Sequence, residues 1–268
     1  MKLQLSKGFP YDTAVMSRIL SALTGMNGKW SQEQLIERLG LPYGIVSNTL
    51  ALMAASGLTV HRANRVATLG KLVATHDPFM EKTGTLWFCH YQLGSQPDLV
   101  VWNTLVNQVL PERIPVTLEA ARHLFGFLPV ADYAPEHLNK YLRKELRSFF
   151  AAYTEQGLAK LRYLAETPDG FIRSDAVPVP ALVFAAMLQL YRDRHFAGAS
   201  ALSVNDIFAA ENSPGRVCGL NEATVRTLLE QLHRGGEVFL ESRADLDQVR
   251  LCCPDGESFM EKYYLSGE

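Results

Sequence analysis

The strongest structural signal in this chain of 268 residues is the stretch SQEQLIERLGLPYGIVSNTLALMAASGL, residues 31–58. Ser31 is a favoured helix cap, and Gln34, three residues later, can complete a capping box. Gly40 suits the left-handed position after a helix, and Pro42 cannot continue a helix but can begin the next one. Apolar residues then recur at helical spacing over the rest of the stretch. The pattern predicts a short helix, a tight turn and a second helix.

Two short strands are predicted directly after the second helix. Residues 58–60 and 65–69 are rich in apolar and β-branched side chains, and they flank a polar turn at 61–64. Helix, turn, helix and hairpin in this order are typical of a winged helix-turn-helix, which we assign to residues 1–76. In such a domain the second helix lies within reach of the DNA major groove.

Side chains suited to DNA contact occur in the second helix and in the hairpin. Asn and Arg read base edges, and Ser can hold a phosphate. The candidate DNA-binding residues are Tyr43, Ser47, Asn48, His61, Arg62, Asn64 and Arg65. Residues 43–56 contain no Lys or Arg, so we expect the hairpin to supply most of the electrostatic affinity. The alternative is a winged helix that serves only for packing or protein contact.

The charge of the chain is unevenly distributed around a formal net charge of −2. Residues 1–76 contain eight Lys and Arg against three Asp and Glu, which makes this region the basic part of the chain. Residues 77–180 contain ten against twelve, residues 181–254 seven against nine, and residues 255–268 one against four. The asymmetry favours the N-terminal domain as the part that meets a polyanion such as duplex DNA.

A helical middle domain is predicted for residues 77–176. Asp77 and Pro78 resemble a helix cap followed by proline at the first helical position. Residues 83–93 are too apolar for an exposed helix and predict a buried one, ended by Gly94. Further helices are predicted at 99–110, at 117–127, and from 135 through Tyr153 towards 164. Residues 175–180, with two prolines, are interpreted as a linker.

One helix of the middle domain carries a row of cations. Lys140, Arg143, Lys144 and Arg147 recur at steps of three and four residues, which places them along one side of the helix. Such a row is usually a solvated face. The alternative is a second surface that contacts phosphates.

A second winged-helix-like domain is predicted for residues 181–254, with three helices followed by strands at 237–242 and 248–253. Its net charge is negative, and the turn between the strands carries Asp245 and Asp247. These carboxylates would repel phosphates unless Arg226, Arg234 and Arg243 compensated for them, so we expect protein contact here, with another protein or a second copy of the chain. Residues 255–268 are interpreted as an acidic tail.

No motif for catalysis, a metal or a cofactor is evident. Glycine-rich phosphate loops and Ser-His-Asp or Cys-His nucleophile signatures are missing from the sequence. His76, Asp77, Cys89 and His90 do not match zinc spacing, and core positions are expected for Cys89 and His90. We therefore expect a protein that is not an enzyme and has no metal or cofactor.

The cellular location is predicted from cysteine usage and hydropathy. Cys89, Cys218, Cys252 and Cys253 lack Cys-x-x-Cys spacing and fit reduced thiols. The chain has no apolar run of about 20 residues and its start lacks a signal-peptide core. We expect a cytoplasmic protein that does not enter a membrane. The complete fold prediction is mainly α, with an N-terminal winged helix-turn-helix, a helical middle domain and a C-terminal winged-helix-like domain.

Three stretches carry a resemblance to a known family: Thr68-Leu69-Gly70, Asp77-Pro78-Phe79 and TLWFCHYQL at residues 85–93. They resemble the bacterial family numbered four thousand and seven among the domains of unknown function. Members of that family resemble neighbours of DNA phosphorothioation and phage-defence genes, which implies a DNA-modification or DNA-restriction context. The resemblance supplies no catalytic residues.

The function expected from these observations is that of a non-enzymatic DNA-binding component of a DNA-modification or phage-defence system, of which a regulatory role is one form. Its expected partners are double-stranded DNA, other proteins of the system and a second copy of the chain. The alternative is an adaptor that holds a modification enzyme through its middle and C-terminal domains without touching DNA.

Overall fold

The computed structural model describes residues 2–25, 31–60, 65–125, 135–243, 246–252 and 255–267. Within these residues the protein is mainly helical with three small antiparallel sheets, which confirms the predicted fold class in its coarse form. None of the described helices is both long and apolar enough to cross a membrane.

The N-terminal region begins with three helices and a minimal hairpin. The elements are α1 (Thr13–Thr24), α2 (Gln32–Leu39), α3 (Tyr43–Ala55), β1 (Thr59–Val60) and β2 (Arg65–Val66). The local signals at α2 are confirmed. Ser31 Oγ accepts from Gln34 N at 3.2 Å, Gln34 Oε1 accepts from Ser31 N at 2.9 Å, and Gly40 ends the helix with φ +62°. The residues between β1 and β2, 61–64, lie outside the described residues.

The second predicted strand is shorter than expected, because helix α4 (Thr68–His76) begins where the strand was expected to continue. Gly70 permits this arrangement. A Cβ atom at Gly70 would lie 2.0 Å from the carbonyl oxygen of Leu58, so only glycine lets α4 pack this closely on the start of the hairpin.

The interpretation of Asp77 as the cap of a helix starting at Pro78 is wrong. Asp77 follows the end of α4, and its carboxylate accepts from Glu81 N at 2.8 Å and Lys82 N at 3.1 Å. It therefore stabilises a turn, in which Met80 has a φ of +55°, and the next helix begins only at Thr83.

The middle region is built around α5 (Thr83–Gly94), which is buried along nearly its whole length as predicted. The helix predicted at 99–110 is divided into α6 (Val100–Thr104), a π-helical turn at Leu105–Val109 and a 3-10 turn at Leu110–Glu112. Asn107 explains the irregularity. Its Nδ2 donates to Gly94 O at 2.9 Å and to Asn103 O at 3.0 Å, which competes with the regular helical pattern.

Two further helices complete the middle region: α7 (Leu118–Phe125) and α8 (Pro135–Thr154). Helix α8 ends ten residues before the predicted limit. It is followed by a 3-10 turn at Gly157–Leu161 and by an unpredicted hairpin, β3 (Leu164–Thr167) and β4 (Gly170–Arg173). Gly157 N donates to Tyr11 O at 3.2 Å, so the chain turns here to pack against the N-terminal segment.

The elements of the C-terminal region are α9 (Ala181–His195), β5 (Leu202–Ser203), α10 (Val204–Ala209), α11 (Pro214–Val217), α12 (Glu222–Arg234), β6 (Val238–Arg243) and β7 (Leu246–Leu251), with the antiparallel strand order β5-β7-β6. The region contains the three predicted helices and the two predicted strands, together with a short strand and a short helix that were not predicted, β5 and α11. Residues 244–245, including Asp245, lie outside the described residues.

The interpretation of residues 255–268 as an acidic tail is wrong. They contain α13 (Gly256–Ser266), whose side chains Phe259, Met260 and Tyr263 are buried. Tyr263 Oη accepts from Gly84 N at 3.1 Å, and Tyr264 Oη lies 2.7 Å from Thr85 Oγ1. Asp255, Glu257 and Glu261 are exposed, and the helix itself packs on α4 and α9. Consequently, the buried apolar side chains of the N-terminal, middle and C-terminal regions form one connected core.

Trp87 lies at the centre of this core. Its side chain is fully buried, with its ring edge-on to His90 at 5.3 Å and to Tyr163 at 6.2 Å between centroids. We expect Trp87→Ala to lower the free energy of unfolding by about 3–5 kcal/mol, because it opens a large cavity. Chemical denaturation monitored by circular dichroism measures this change. Phe79→Ala is the control, since Phe79 is 71% exposed and its loss should change stability by less than about 0.5 kcal/mol. Equal effects of the two variants would contradict a central position of Trp87.

Candidate nucleic-acid interface

The structure places the predicted DNA-binding residues of α3 in three different environments. Tyr43 is 62% exposed in the first turn, and Ser47, one turn later, is half-buried. Asn48 is buried, and its Nδ2 donates to Gly44 O at 2.6 Å within the same helix. Asn48 is therefore not offered to a base edge, which corrects its assignment as a DNA-binding residue.

The hairpin contributes one described candidate. Arg65 is exposed on β2, opposite Val60 on β1. The other three candidates of the hairpin, His61, Arg62 and Asn64, lie outside the described residues.

The row of cations on α8 forms an exposed surface, which we call the basic face: Lys140, Arg143, Lys144 and Arg147. Within the described ranges, none of these four side chains has a carboxylate at ion-pair distance. The basic face lines a shallow groove, and Arg122 of α7 lines it as well. Arg122 forms an ion pair with Glu119, in which Nη2 lies 3.2 Å from Oε1. The basic face is thus a concentration of uncompensated positive charge.

The opposite side of α8 contains a buried carboxylate, that of Glu145. It accepts from Ser6 N at 3.0 Å, from Ser6 Oγ at 2.8 Å and from Lys7 N at 3.2 Å. Its other oxygen, Oε1, accepts from Trp102 Nε1 at 2.9 Å. Glu145 therefore fastens the N-terminal segment to α8 and α6.

The bonds to Glu145 also shape the N-terminal segment, residues 6–10. Lys7 has a φ of +53° and Gly8 a φ of +90°, so the chain makes a sharp turn over α8. A Cβ atom at Gly8 would lie 3.5 Å from the side chain of Lys144. Lys7 and Phe9 line one depression together with Lys144 and Arg147. The turn therefore adds Lys7 to the basic face.

The same segment connects the basic face to the helix-turn-helix. A Cβ atom at Gly44, in the first turn of α3, would lie 3.2 Å from Cζ of the Phe9 ring. The beginning of α3, the N-terminal segment and the basic face therefore form one continuous surface. Glu145 was the residue in the sequence that could have indicated this arrangement. It lies three residues after Leu142 and four before Phe149, on the side of the helix that is buried. A buried carboxylate requires hydrogen-bond donors from elsewhere in the chain.

The histidine and cysteine of α5 are core residues, as expected. His90 Nδ1 lies 2.6 Å from Tyr153 Oη and Nε2 lies 2.9 Å from Val217 O. Burial lowers the pKa of His90 to about 4 and raises the pKa of the Cys89 thiol to about 12. Both groups are uncharged at neutral pH. Cys218 is also buried, Cys252 is exposed, and Cys253 lies outside the described residues.

The carboxylates of the C-terminal hairpin were expected to repel phosphates, but Asp247 forms an ion pair in the structure. Asp247 Oδ2 lies 2.7 Å from Nη2 of Arg226, which also bonds to Glu222 at 3.0 Å. Hydrogen bonding to Arg226 lowers the pKa of Asp247. Asp247 is thus paired with Arg226, which it shares with Glu222, whereas Arg234 and Arg243 are exposed.

Together these features describe a mainly helical protein whose helix-turn-helix region adjoins a basic surface. The family described as "Protein of unknown function (DUF4007)" matches residues 22–264, and the chain belongs to this family. No curated protein matches the sequence.

Solved structures with a similar fold exist. A magnesium-bound crystal structure of SspB superposes with a TM-score of 0.70 at 12% identity, over 98% of this chain and 96% of that one. A second SspB crystal structure gives a TM-score of 0.68 at 14% identity, over 98% and 86% of the two chains. At such identities the likeness concerns the fold alone.

In the part of the chain that the structure describes, no three His, Cys, Asp or Glu side chains come together as ligands for a metal ion. His76 and Asp77 are used otherwise, in a stack on Tyr264 and in a turn.

We expect Glu145→Gln to destabilise the protein and to release the N-terminal segment. The amide has one acceptor oxygen instead of two, so buried donors of Ser6 or Trp102 lose their partner, at about 1–3 kcal/mol for an unsatisfied group. Chemical denaturation gives the loss of stability, and hydrogen exchange should show faster exchange at the Ser6 and Lys7 amides. Glu155→Gln, at an exposed position just beyond α8, is the control. Unchanged amide protection in Glu145→Gln would show that the carboxylate does not hold the segment.

We expect stability to fall on acidification because of His90. Its pKa is about 4 in the folded protein and 6.5 without perturbation, so between these values the unfolded chain binds the additional proton. The His90 contribution is complete above pH 6.5 and is lost as the pH falls towards 4, by about 3 kcal/mol in total. Denaturation at several pH values gives the free energy of unfolding as a function of pH. Its slope should be smaller in His90→Gln than in the wild type. His123→Gln, at an exposed site, should keep the wild-type slope. Parallel slopes in all three proteins would contradict the assignment.

Proposed function

We propose that this protein is a DNA-binding component of a bacterial DNA-modification or phage-defence system. It binds duplex DNA through the first turn of α3, the N-terminal segment and the basic face. The single observation that carries the proposal is the contact between Phe9 and Gly44, because it joins a helix-turn-helix to a surface of uncompensated cations.

The charge on this surface suits a phosphate backbone. Lys140 and Arg147 are seven residues apart, which corresponds to about 10 Å along a helix. Phosphates on one DNA strand advance by about 3.4 Å along the axis, so the basic face spans roughly three of them. The basic face supplies the cations that α3 lacks.

The biological context is supported by two likenesses. The chain belongs to the family whose sequence resemblance implies a place beside DNA phosphorothioation and phage-defence genes, and its fold is similar to that of SspB. A role in regulation is one form of this function, since a protein that binds DNA without modifying it acts by recruiting or excluding others.

The proposal is tested by duplex binding as a function of salt. We expect Lys144→Gln combined with Arg147→Gln to remove two phosphate contacts and to reduce the slope of log K against log salt by about 1.8. Between about 50 and about 200 mM salt, the loss of affinity should therefore be roughly ten-fold smaller than for the wild type. Fluorescence anisotropy with a labelled duplex measures both quantities.

The control is a double variant that also loses two positive charges, but in the C-terminal region instead of on the basic face. Arg234→Gln combined with Arg243→Gln changes two exposed arginines of the C-terminal region and should leave the salt slope unchanged. An equal effect of the two double variants would show that overall charge, rather than the basic face, determines binding. Failure of the wild type to bind duplex DNA at low salt would overturn the proposal and favour the adaptor function.

Participation of the helix-turn-helix is tested separately. Tyr43→Ala and Arg65→Gln alter exposed side chains of α3 and β2, so each should weaken duplex binding with the fold intact. Unchanged affinity in both variants, together with a loss in the basic-face variant, would limit the interface to α8 and the N-terminal segment.

A further inference from the structure

A cavity of about 430 Å³ lies on a different part of the molecule from the basic face. It is enclosed by the end of the 3-10 turn at Leu110–Glu112, by β4 and the segment 174–179, and by the beginning of α12. Its volume is within the range of small-molecule sites. None of the four residues of the basic face lines it.

Two arginines line this cavity without a carboxylate at ion-pair distance among the described residues. Arg113 and Arg173 both line it, and within the described residues neither guanidinium makes a hydrogen bond or an ion pair. The Nε of Arg173 is buried and has no hydrogen-bond partner. Buried polar atoms in proteins normally have a hydrogen-bond partner, so the partnerless Nε of this half-buried arginine, in a cavity that a second arginine also lines, points to an anion as its partner.

The position of Arg173 is determined by packing. A Cβ atom at Gly219 would lie 2.9 Å from Cδ and from Nη1 of Arg173, so the absence of a side chain at Gly219 makes room for the guanidinium. Burial lowers the pKa of Arg173, and the nearby charge of Arg113 lowers it further, partly offset by Tyr163. Arginine nevertheless keeps its proton in proteins, and both groups remain cations.

The other walls of the cavity suit the two parts of a phosphate ester, namely the charged phosphate and the less polar group attached to it. Asn221 caps α12 by accepting from Thr224 N at 2.8 Å, and the positive end of this 13-residue helix therefore borders the cavity. The apolar wall consists of Val177, Pro178, Leu220 and Leu228. Asp175 is the one acidic residue among those that line the cavity, against two arginines.

We propose that this cavity binds a small phosphate-bearing ligand of about mononucleotide size. Its phosphate lies between Arg113 and Arg173, which present planar N–H donors in the geometry that favours bidentate binding of phosphate oxygens. Its less polar part lies against the apolar wall. The inference goes beyond duplex binding and does not depend on it.

The test compares three probes on the intact protein by isothermal titration calorimetry. The probes are a nucleoside monophosphate, the corresponding nucleoside and inorganic phosphate. We expect the nucleotide to bind most tightly, inorganic phosphate more weakly, and the nucleoside at least ten-fold more weakly than the nucleotide. The nucleotide should also raise the melting temperature, since a ligand that binds only the folded state stabilises it.

The chain offers a closely matched pair of variants. Arg113 and Arg162 are both exposed, both have a φ of +54°, and each follows a 3-10 turn. Replacing either by glycine removes one charge and relieves the same backbone conformation, but only Arg113 lines the cavity. Arg113→Gly should weaken nucleotide binding at least ten-fold, and Arg162→Gly should leave it unchanged.

Several results would overturn this proposal: no binding of the nucleotide at millimolar concentration, equal binding of the nucleoside, or equal losses in Arg113→Gly and Arg162→Gly. The two proposals are distinguishable. The Lys144→Gln and Arg147→Gln variant should bind the nucleotide normally, and Arg113→Gly should bind duplex DNA normally.

Discussion

The nearly complete burial of helix α5 is the constraint on which the rest of the structure depends. A helix with almost no solvent-facing side must find hydrogen-bond partners for most of the polar groups it carries, and Trp87 Nε1 is left without one. His90 shows how this is met. One ring nitrogen contacts Tyr153 of α8 and the other contacts the carbonyl of Val217 in α11, so one side chain joins the middle region to the C-terminal region. Gly84 and Thr85 at the other end of the helix contact the tyrosines of α13 in the same way. The regions therefore fold around one shared element rather than as separate domains.

Glu145 is a second buried polar group that needs hydrogen-bond partners, and it lies beneath the basic face. A carboxylate on the inner side of α8 needs donors, and the N-terminal segment supplies them through Ser6 and Lys7. The consequence lies on the outer side, where the segment brings Lys7 and Phe9 next to the basic face and the beginning of α3. A buried polar interaction thus determines how the basic face lies relative to the beginning of α3, although Glu145 itself is inaccessible to any ligand.

The two cationic sites of the protein differ in ways that match different ligands. The basic face is open, follows one helix and consists of long side chains in solvent, which suits the sequence-independent attraction of a phosphate backbone. The cavity of Arg113 and Arg173 is partly enclosed, and one of its guanidinium groups is held against Gly219. Two planar donors that line one cavity suit a single phosphate group of defined geometry better than an extended polyanion.

The sequence by itself determined the features that depend on near neighbours. The capping box at Ser31, the end of α2 at Gly40 and the burial of α5 were all predicted, because each rests on hydrogen bonds or periodicity within a few residues. The basic row on α8 was visible for the same reason. Asn48 marks the limit of such arguments, since its residue type suits DNA but its amide bonds to its own helix.

Only the tertiary structure decided which distant residues come into contact. Ser6 and Glu145 are 139 positions apart, Gly84 and Tyr263 are 179 apart, and no local pattern encodes either contact. For the same reason residues 255–268 were mistaken for a tail, because their charge was evident while the surface that buries Phe259 lies on distant helices. The pairing of Arg113 with Arg173 is of this kind as well. Contacts between distant residues depend on how the whole core packs, and that packing is a property of all the elements together.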